Sequence, residues 1–297
     1  MRIILIFFTL TIFNPLLSQI DSTLIYYHNL EFNKSINYLK LKIKNNNYKN
    51  NKIAKEVDLY NLACDYSIVG ESKKCMEILN MMLKDGNSLN GFEKDSDFYN
   101  VSQTQEWKVL LLKYKVKMHL NFPDTVYLNL SRIAINDQAF NNELTFYSNK
   151  SSYKSEKVKS IWKKKDSLNQ INLNLVNYYL NNNYNVLSDS VVGSFSKKTF
   201  LVIQHADDST MKRYLPIIKE LYLKKETSGS NYALIFDRVS VNSNKGFQYY
   251  GTQINSKTNL PYPIKDEKNV DKRRLEFGME PLKEYLQRFN ITYKPKH

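Results

Sequence analysis

Glycine, proline and cysteine are scarce in this chain, which has 8, 7 and 2 of them, respectively, among 297 residues. So little glycine and proline excludes collagen-like and linker-rich architectures and favours helices. Two cysteines are too few for a disulfide scaffold or for a zinc site of four cysteines. Hydrophobic residues account for 42% and charged residues for 24% of the chain. That composition is typical of a globular protein, and the length suffices for two domains.

Positive charge is in excess, because 43 lysines and arginines face 29 aspartates and glutamates, for a net charge of +14. A basic protein can bind nucleic acid by neutralising phosphates. Here, however, the lysines are scattered and do not alternate with aromatic residues that would stack on bases. The abundance of asparagine, lysine, isoleucine and tyrosine is instead typical of an AT-rich genome. We therefore predict a solvated basic surface and no nucleic-acid partner.

Residues 1–18 have the layout of a secretory signal peptide. A positive charge at Arg2 precedes the apolar segment Ile3–Phe13, and the small Ser18 precedes Gln19. The apolar segment, about eleven residues long, is shorter than the ~20 residues that a membrane-spanning helix needs. We expect cleavage near Ser18/Gln19 and export, either periplasmic or secreted, with no membrane attachment afterwards. An uncleaved N-terminal anchor is the alternative.

From residue 22 to residue 120 the apolar residues follow a helical period. The clearest stretch is residues 60–86, where the small residues Ala63 and Cys75 stand at the predicted crossing of two helices and Gly70 stands in the turn between them. This spacing resembles a tetratricopeptide repeat. The resemblance implies a helical module at 22–120 that presents a concave face to a peptide or protein partner. A purely structural helical lid is the alternative.

The two cysteines, Cys64 and Cys75, lie on helical faces where a small buried residue fits. Oxidation is permitted outside the cytoplasm, so export would allow a disulfide between them. We predict two free, buried thiols, with the disulfide as the alternative.

Pro123 prevents the helix that ends near Leu120 from continuing, so a second domain is predicted at 125–297. Most of this domain has a helical period. The period changes to two in Tyr232–Val241 and Gly246–Ile254, which predicts a β-hairpin. The predicted fold class is mainly α, with N-terminal tetratricopeptide-like helical hairpins followed by an α+β domain that contains a small antiparallel β-hairpin.

Polar residues cluster in four short strings of the second domain, which we expect to meet in space. His205 is flanked by Asp207 and Asp208, an arrangement that suits a general base whose tautomer is fixed by a carboxylate. The arginines suit an anionic group, because a guanidinium can donate two parallel hydrogen bonds. A buried network that only stabilises the domain is the alternative. The candidate binding residues are Asp237, Arg238, Gln248, Tyr250, Gln253, Asp271, Arg273 and Arg274.

The four strings, QHAD, DRV, QYYGTQ and VDKRRLEFG, also carry a resemblance. Their order and spacing are similar to those of a family of unknown function found in exported bacterial proteins. The similarity extends from about Val126 to Phe289. It implies no activity, because no activity is assigned to the family.

The leading interpretation is an exported binding or interaction protein with a peptide or protein partner at the helical module. The alternative is a hydrolase- or transferase-like enzyme, with His205 as the general base and the arginines holding a small anionic ligand. The sequence contains no G-x-S-x-G elbow, HExxH motif, glycine-rich phosphate loop or dinucleotide fingerprint. No cofactor and no metal ligand is therefore assigned, and whether the protein is an enzyme stays open.

Overall fold

The computed structural model describes residues 22–45, 48, 51–150, 155–243 and 246–294. The predicted signal peptide lies outside these residues. The described chain forms two compact units, an N-terminal unit that ends at Leu175 and a C-terminal unit that begins at Val176. The predicted division into modules at 22–120 and 125–297 stays a prediction. Within the described residues, no helix is both long and apolar enough to cross a membrane.

The N-terminal unit is built from helices. They are α1 (Ser22–His28), α2 (Phe32–Lys44), α3 (Lys52–Ile68), α4 (Ser72–Lys84), α5 (Gln105–Lys117), α6 (Asp124–Gln138), α7 (Asn141–Lys150) and α8 (Glu156–Asn181), and the unit boundary falls inside α8. Three short 3-10 turns, Phe92–Lys94, Ser96–Phe98 and Val101–Gln103, connect α4 to α5. The prediction of helices over residues 22–120 is confirmed.

Helices α3 and α4 form the hairpin that the repeat-like spacing predicts. Gly70 connects them with φ of +83°, a left-handed conformation that glycine adopts at no steric cost. The chain turns there because the Glu71 N–H donates to the Tyr66 carbonyl at 2.8 Å. Ala63 and Cys75 are completely buried, as expected of small residues at a close helix crossing. Both cysteines are free and buried, as predicted.

An aromatic core fixes the 3-10 turns against the helices of this unit. The Trp107 ring lies 5.3 Å from the rings of both Phe92 and Phe98, and the Phe98 ring lies 5.6 Å from that of Tyr60 on α3. Such contacts between aromatic rings add to the free energy of burying the rings. They hold the segment from Asp95 to Asp97 beside α3, which positions the acidic cavity described below.

The C-terminal unit contains the remaining elements. They are α9 (Asp189–Val192), α10 (Ser196–Gln204), α11 (Asp208–Leu223), α12 (Gly229–Asn242), β1 (Ile254–Asn255), β2 (Leu260–Pro261), α13 (Val270–Glu276) and α14 (Leu282–Gln287), with 3-10 turns at Gly193–Phe195 and Glu267–Asn269. Strands β1 and β2 pair antiparallel, with Ile254 opposite Pro261. The predicted class, mainly α with a small antiparallel sheet, is confirmed.

The predicted position of the hairpin is wrong. Tyr232–Val241 lies within helix α12, whose N-cap is Ser228, and 246–253 is a loop. The buried residues Gly229, Ala233 and Asp237 recur every fourth position on one face of α12. A short apolar segment rich in β-branched residues can satisfy both periods, so tertiary contacts decide between them. Gly229 is one such contact, because a Cβ there would lie 2.2 Å from the Phe277 carbonyl oxygen.

Candidate functional site

The candidate residues of the C-terminal unit surround the loop 246–253, and Asp237 on α12 is at the centre. Its carboxylate has no exposed surface and accepts hydrogen bonds from the backbone N–H groups of Tyr249 (2.7 Å), Tyr250 (3.1 Å) and Thr252 (3.0 Å). It also accepts one from the Thr252 hydroxyl at 2.9 Å. Burial raises the pKa of Asp237, and these donors oppose the rise. Asp237 therefore holds the loop by its backbone.

Gln248 and Gln253 close the same loop on itself. The Gln248 side-chain oxygen accepts from the Gln253 N–H at 2.7 Å, and its Nε2 donates to the carbonyls of Gln253 and Tyr262, both at 2.9 Å. The Gln253 amide donates in turn to the Leu234 carbonyl at 3.2 Å. These amides add to the backbone hydrogen bonds that Gln248 makes with Pro263 and Lys265.

The three arginines donate mainly to carbonyl oxygens. Arg238 donates to the Gln204 carbonyl at 2.6 Å and to the Gln253 side-chain oxygen at 3.2 Å. Arg274, 1% exposed, donates to the carbonyls of Tyr250 (2.6 Å) and Glu280 (2.7 Å). Burial lowers the pKa of both guanidinium groups.

Arg273 lies nearer the surface than Arg274 and binds the adjacent residue of the loop. It donates to the carbonyls of Tyr249 (3.0 Å) and Lys265 (2.7 Å) and pairs with the Asp266 carboxylate at 3.2 Å. The remaining acidic candidate, Asp271, accepts from the Leu282 N–H at 2.7 Å and thereby caps α14.

The candidate catalytic residues lie at the ends of two helices. His205 is exposed and follows the last residue of α10. Asp207 caps α11, accepting from the Thr210 N–H at 2.7 Å, and this bond with one from Ser209 lowers the pKa of its carboxyl. Asp208 accepts from the Asn242 side chain at 2.8 Å.

Tyr250 completes the set of candidates, packed among aromatic rings. Its ring lies 5.1 Å from that of Phe277 and 5.8 Å from that of Phe236. Burial raises the pKa of Tyr250 to about 12, so the phenol stays protonated at neutral pH.

These contacts join the last three strings to one another, and they reach the first string through the carbonyl of Gln204. That His205, Asp207 and Asp208 form one site with the arginines stays a prediction. We call the set of Asp237, Arg238, Gln248, Gln253, Arg273 and Arg274 the loop network, because its members bind the loop 246–253 and its neighbours. Most of its hydrogen bonds end on backbone groups, which is how a structural network is satisfied. Gln204, which starts the first string, contributes its carbonyl, while its buried side-chain amide has no hydrogen-bond partner among the described residues.

The N-terminal unit has an apolar groove of about 480 Å³ between α2, α3 and α4. Its walls are Leu41, Ile43, Leu59, Leu62 and Ile78, and Lys40 and Lys44 stand at its rim. Leu41 is 61% exposed, so its side chain is accessible from solvent. We call this feature the basic-rimmed groove. The sequence predicts a partner at this module, but it does not identify these residues.

A second cavity of the same unit, of about 350 Å³, is acidic. Cys64, Asp65 and Asp97 line it, together with residues of α1 and α2. One ligand atom each from Cys64, Asp95 and Asp97 lie within 4.8 Å of one another. The Tyr27 hydroxyl donates to Asp97 at 2.8 Å. We call this feature the acidic cavity.

Burial and mutual repulsion perturb the acids of this cavity. Burial, with the neighbouring Asp95 carboxylate, raises the pKa of Asp97 to about 7, and burial raises that of Asp65 to about 6. Burial also raises the pKa of the Cys64 thiol well above its usual range. None of these residues is a sequence-predicted site residue. The sequence feature that could have pointed to this cavity is the Asp95-Ser96-Asp97 turn, although its partner Cys64 is 31 positions earlier.

Residues 164–296 match the model of a family of unknown function (DUF6624). The match begins after the predicted start near Val126 and covers less than half of the chain. No curated protein and no solved structure matches the chain. The C-terminal part of the chain is therefore similar to a family whose function is unknown.

Proposed function

We propose that the protein is an exported binding protein whose N-terminal helical module holds an acidic, amphipathic segment of a partner protein in the basic-rimmed groove. The main observation behind this proposal is the groove, which is an exposed apolar surface flanked by lysines. A partner helix would place its apolar residues against Leu41 and Ile78 and its carboxylates toward Lys40 and Lys44. The net charge of +14 favours an acidic partner as well.

The hydrogen bonds of the loop network favour the binding hypothesis over the enzyme hypothesis. The guanidinium groups of Arg238 and Arg274 donate to carbonyls of the protein, so these donors are engaged before any anionic ligand arrives. Asp207 is engaged as a helix cap. The enzyme hypothesis needs these groups to release their present partners and turn toward a substrate. The binding hypothesis needs no such rearrangement.

The groove is tested with two synthetic amphipathic helical peptides, one of leucine and glutamate and one of leucine and lysine, followed by fluorescence anisotropy. We expect the glutamate peptide to bind and Leu41→Asp to weaken it about tenfold or more, since a charge then faces the apolar surface. Leu223→Asp is the matched control, because Leu223 is 70% exposed in the other unit.

A double variant, Lys40→Glu with Lys44→Glu, sharpens the charge argument. We expect it to prefer the lysine peptide, because the rim is then negative. Equal binding of both peptides to the wild type, or unchanged binding by Leu41→Asp, would show that the groove is not the binding surface.

Export is tested separately by mass spectrometry of the protein recovered from its native host. We expect a mature N-terminus near Gln19. A protein outside the cytoplasm that still begins at Met1 would favour the uncleaved anchor, and an intact cytoplasmic protein would contradict export.

A further inference from the structure

The acidic cavity brings together the kinds of side chain that bind a transition-metal ion. We propose that Cys64, Asp95 and Asp97 bind a divalent cation of the Zn²⁺ type, with Asp65 accepting a hydrogen bond from a water molecule on the ion. The site is independent of the groove and of the loop network. It gives the N-terminal unit a binding activity that the sequence-based interpretation does not include.

The distances suit an ion after a small contraction. The sulfur of Cys64 and one oxygen from each aspartate already lie within 4.8 Å of one another. Tetrahedral coordination at usual Zn–S and Zn–O lengths places such atoms about 3.3–3.7 Å apart. The three ligands come from helix α3 and from the turn at Asp95–Asp97, two segments that already pack against each other. Three protein ligands leave the fourth position to water.

Two tyrosines already orient the carboxylates. The Tyr60 hydroxyl donates to Asp95 at 2.7 Å, and the Tyr27 hydroxyl donates to Asp97 at 2.8 Å. The Asp97 N–H also donates to Asp95 at 3.0 Å. Each carboxylate has two oxygens, so a hydrogen-bonded one can still offer a lone pair to a metal. Outer hydrogen bonds of this kind are usual at metal sites, where they fix ligand orientation.

Asp65 provides the second, independent observation. It is 3% exposed and lines the cavity with Cys64 and Asp97, yet its Oδ2 has no hydrogen-bond partner among the described residues. A buried carboxylate oxygen without a partner is costly. The residues that line the described cavity include no lysine or arginine. A bound cation with its water would supply both the missing charge and the missing donor.

The ligand types select the class of metal. Ca²⁺ and Mg²⁺ prefer oxygen ligands only, whereas a cysteine sulfur favours Zn²⁺ and similar transition metals. Because Co²⁺ often substitutes for Zn²⁺ in tetrahedral sites and its thiolate bond absorbs light, it reports directly on Cys64.

The experiment titrates the full chain, first treated with a chelator, with ZnCl₂ by calorimetry and with CoCl₂ by absorption spectroscopy. We expect about one equivalent of each metal to bind. The Co²⁺ complex should show a sulfur-to-metal charge-transfer band. MgCl₂ should not bind at the same concentration. Absence of Zn²⁺ uptake by the wild type would overturn the proposal.

Cys64→Ala should abolish the charge-transfer band and weaken Zn²⁺ binding at least about tenfold, whereas Cys75→Ala is the matched control that removes the other buried thiol. Asp97→Asn and Tyr27→Phe conserve the shape of the side chain and should weaken Zn²⁺ binding by a similar factor. These two variants carry the test if Cys64→Ala does not fold. Circular dichroism establishes that each variant is folded. Unchanged Zn²⁺ affinity in the folded Cys64→Ala and Asp97→Asn variants would place the ion elsewhere and refute the site.

Discussion

The loop network and the acidic cavity are both clusters of buried polar side chains, one in each unit, yet they satisfy those side chains differently. In the loop network Asp237 accepts four hydrogen bonds from one loop, and the arginines donate to carbonyls. In the acidic cavity, acids face other acids, and one oxygen of Asp65 has no partner among the described residues. A network completed by backbone groups stabilises a fold. Buried carboxylates that face one another repel and lower stability until a cation neutralises them, even where tyrosine hydroxyls donate to two of them.

The largest expected effect is on the loop network. Asp237→Ala should lower the free energy of unfolding by about 3 kcal/mol or more, because it leaves buried N–H groups of Tyr249, Tyr250 and Thr252 unpaired. Urea denaturation followed by circular dichroism measures this. Asp208→Ala is the control, since Asp208 accepts only from the Asn242 side chain in the contacts described. Equal effects of the two substitutions would contradict the central role of Asp237.

Two buried glutamines of the C-terminal unit differ in whether their side-chain amides are hydrogen-bonded, so substituting each of them tests what those bonds contribute. Gln248→Met should cost about 2 kcal/mol, because the Gln248 amide bonds to Gln253 and Tyr262. Gln204→Met should be neutral or stabilising, because the Gln204 amide is equally buried and makes no such bond among the described residues. The same urea titration compares them. Similar losses in both variants would mean that Gln204 has a polar role.

Removing the charge of Asp97 should stabilise the protein freed of metal, whereas removing the carboxylate of Asp237 should destabilise it. Its pKa is raised to about 7 by burial and by Asp95, in a cavity that also contains Cys64 and Asp65. The unfolded carboxyl has a pKa near 3.9, so the folded state binds the proton more tightly and loses stability as the pH rises from about 4 through 7. Asp97→Asn should remove this loss and add about 1 kcal/mol at pH 8.

Melting curves of the chelated protein at pH 5 and pH 8 measure the change. Asp85→Asn, at the exposed end of α4, is the control. The prediction is contradicted if the wild type melts at the same temperature at pH 5 and pH 8 and Asp97→Asn melts at that temperature too. The acids of the cavity would then not repel one another.

The sequence predicts the helices better than it predicts the sites. Helical period and a left-handed glycine identify the α3–α4 hairpin because those signals are local. The period-two pattern at Tyr232–Val241 fails because only tertiary contacts, such as Gly229 against Phe277, decide that this segment is a helix. The meeting of Asp237 with the loop is predictable from residue types, since isolated charges and amides in an apolar segment require partners.

The acidic cavity is not predictable in the same way. Cys64 and Asp97 carry no spacing motif, and the fold brings them together through the packing of Phe98 between Tyr60 and Trp107. The orphan oxygen of Asp65 is visible only once burial is known. The sequence also does not show that the carboxylate of Asp207, two residues after His205, accepts a hydrogen bond at the start of α11.

The smallest predicted effect concerns that cap and separates it from a catalytic role. Asp207→Ala should destabilise the protein by about 1 kcal/mol at pH 7, because the Thr210 N–H at the start of α11 loses its acceptor, while Asp207→Ser should retain most of the stability. Hydrogen bonds lower the pKa of Asp207, so its contribution is present above about pH 4 and is lost as the pH falls through the folded pKa. The melting temperatures of Asp207→Ala and the wild type should therefore converge in acid. A gap between them that persists at low pH would mean that the ionised carboxylate is not what stabilises α11. A serine variant as unstable as the alanine variant would mean that Asp207 acts through its charge rather than as a cap, and would return attention to His205.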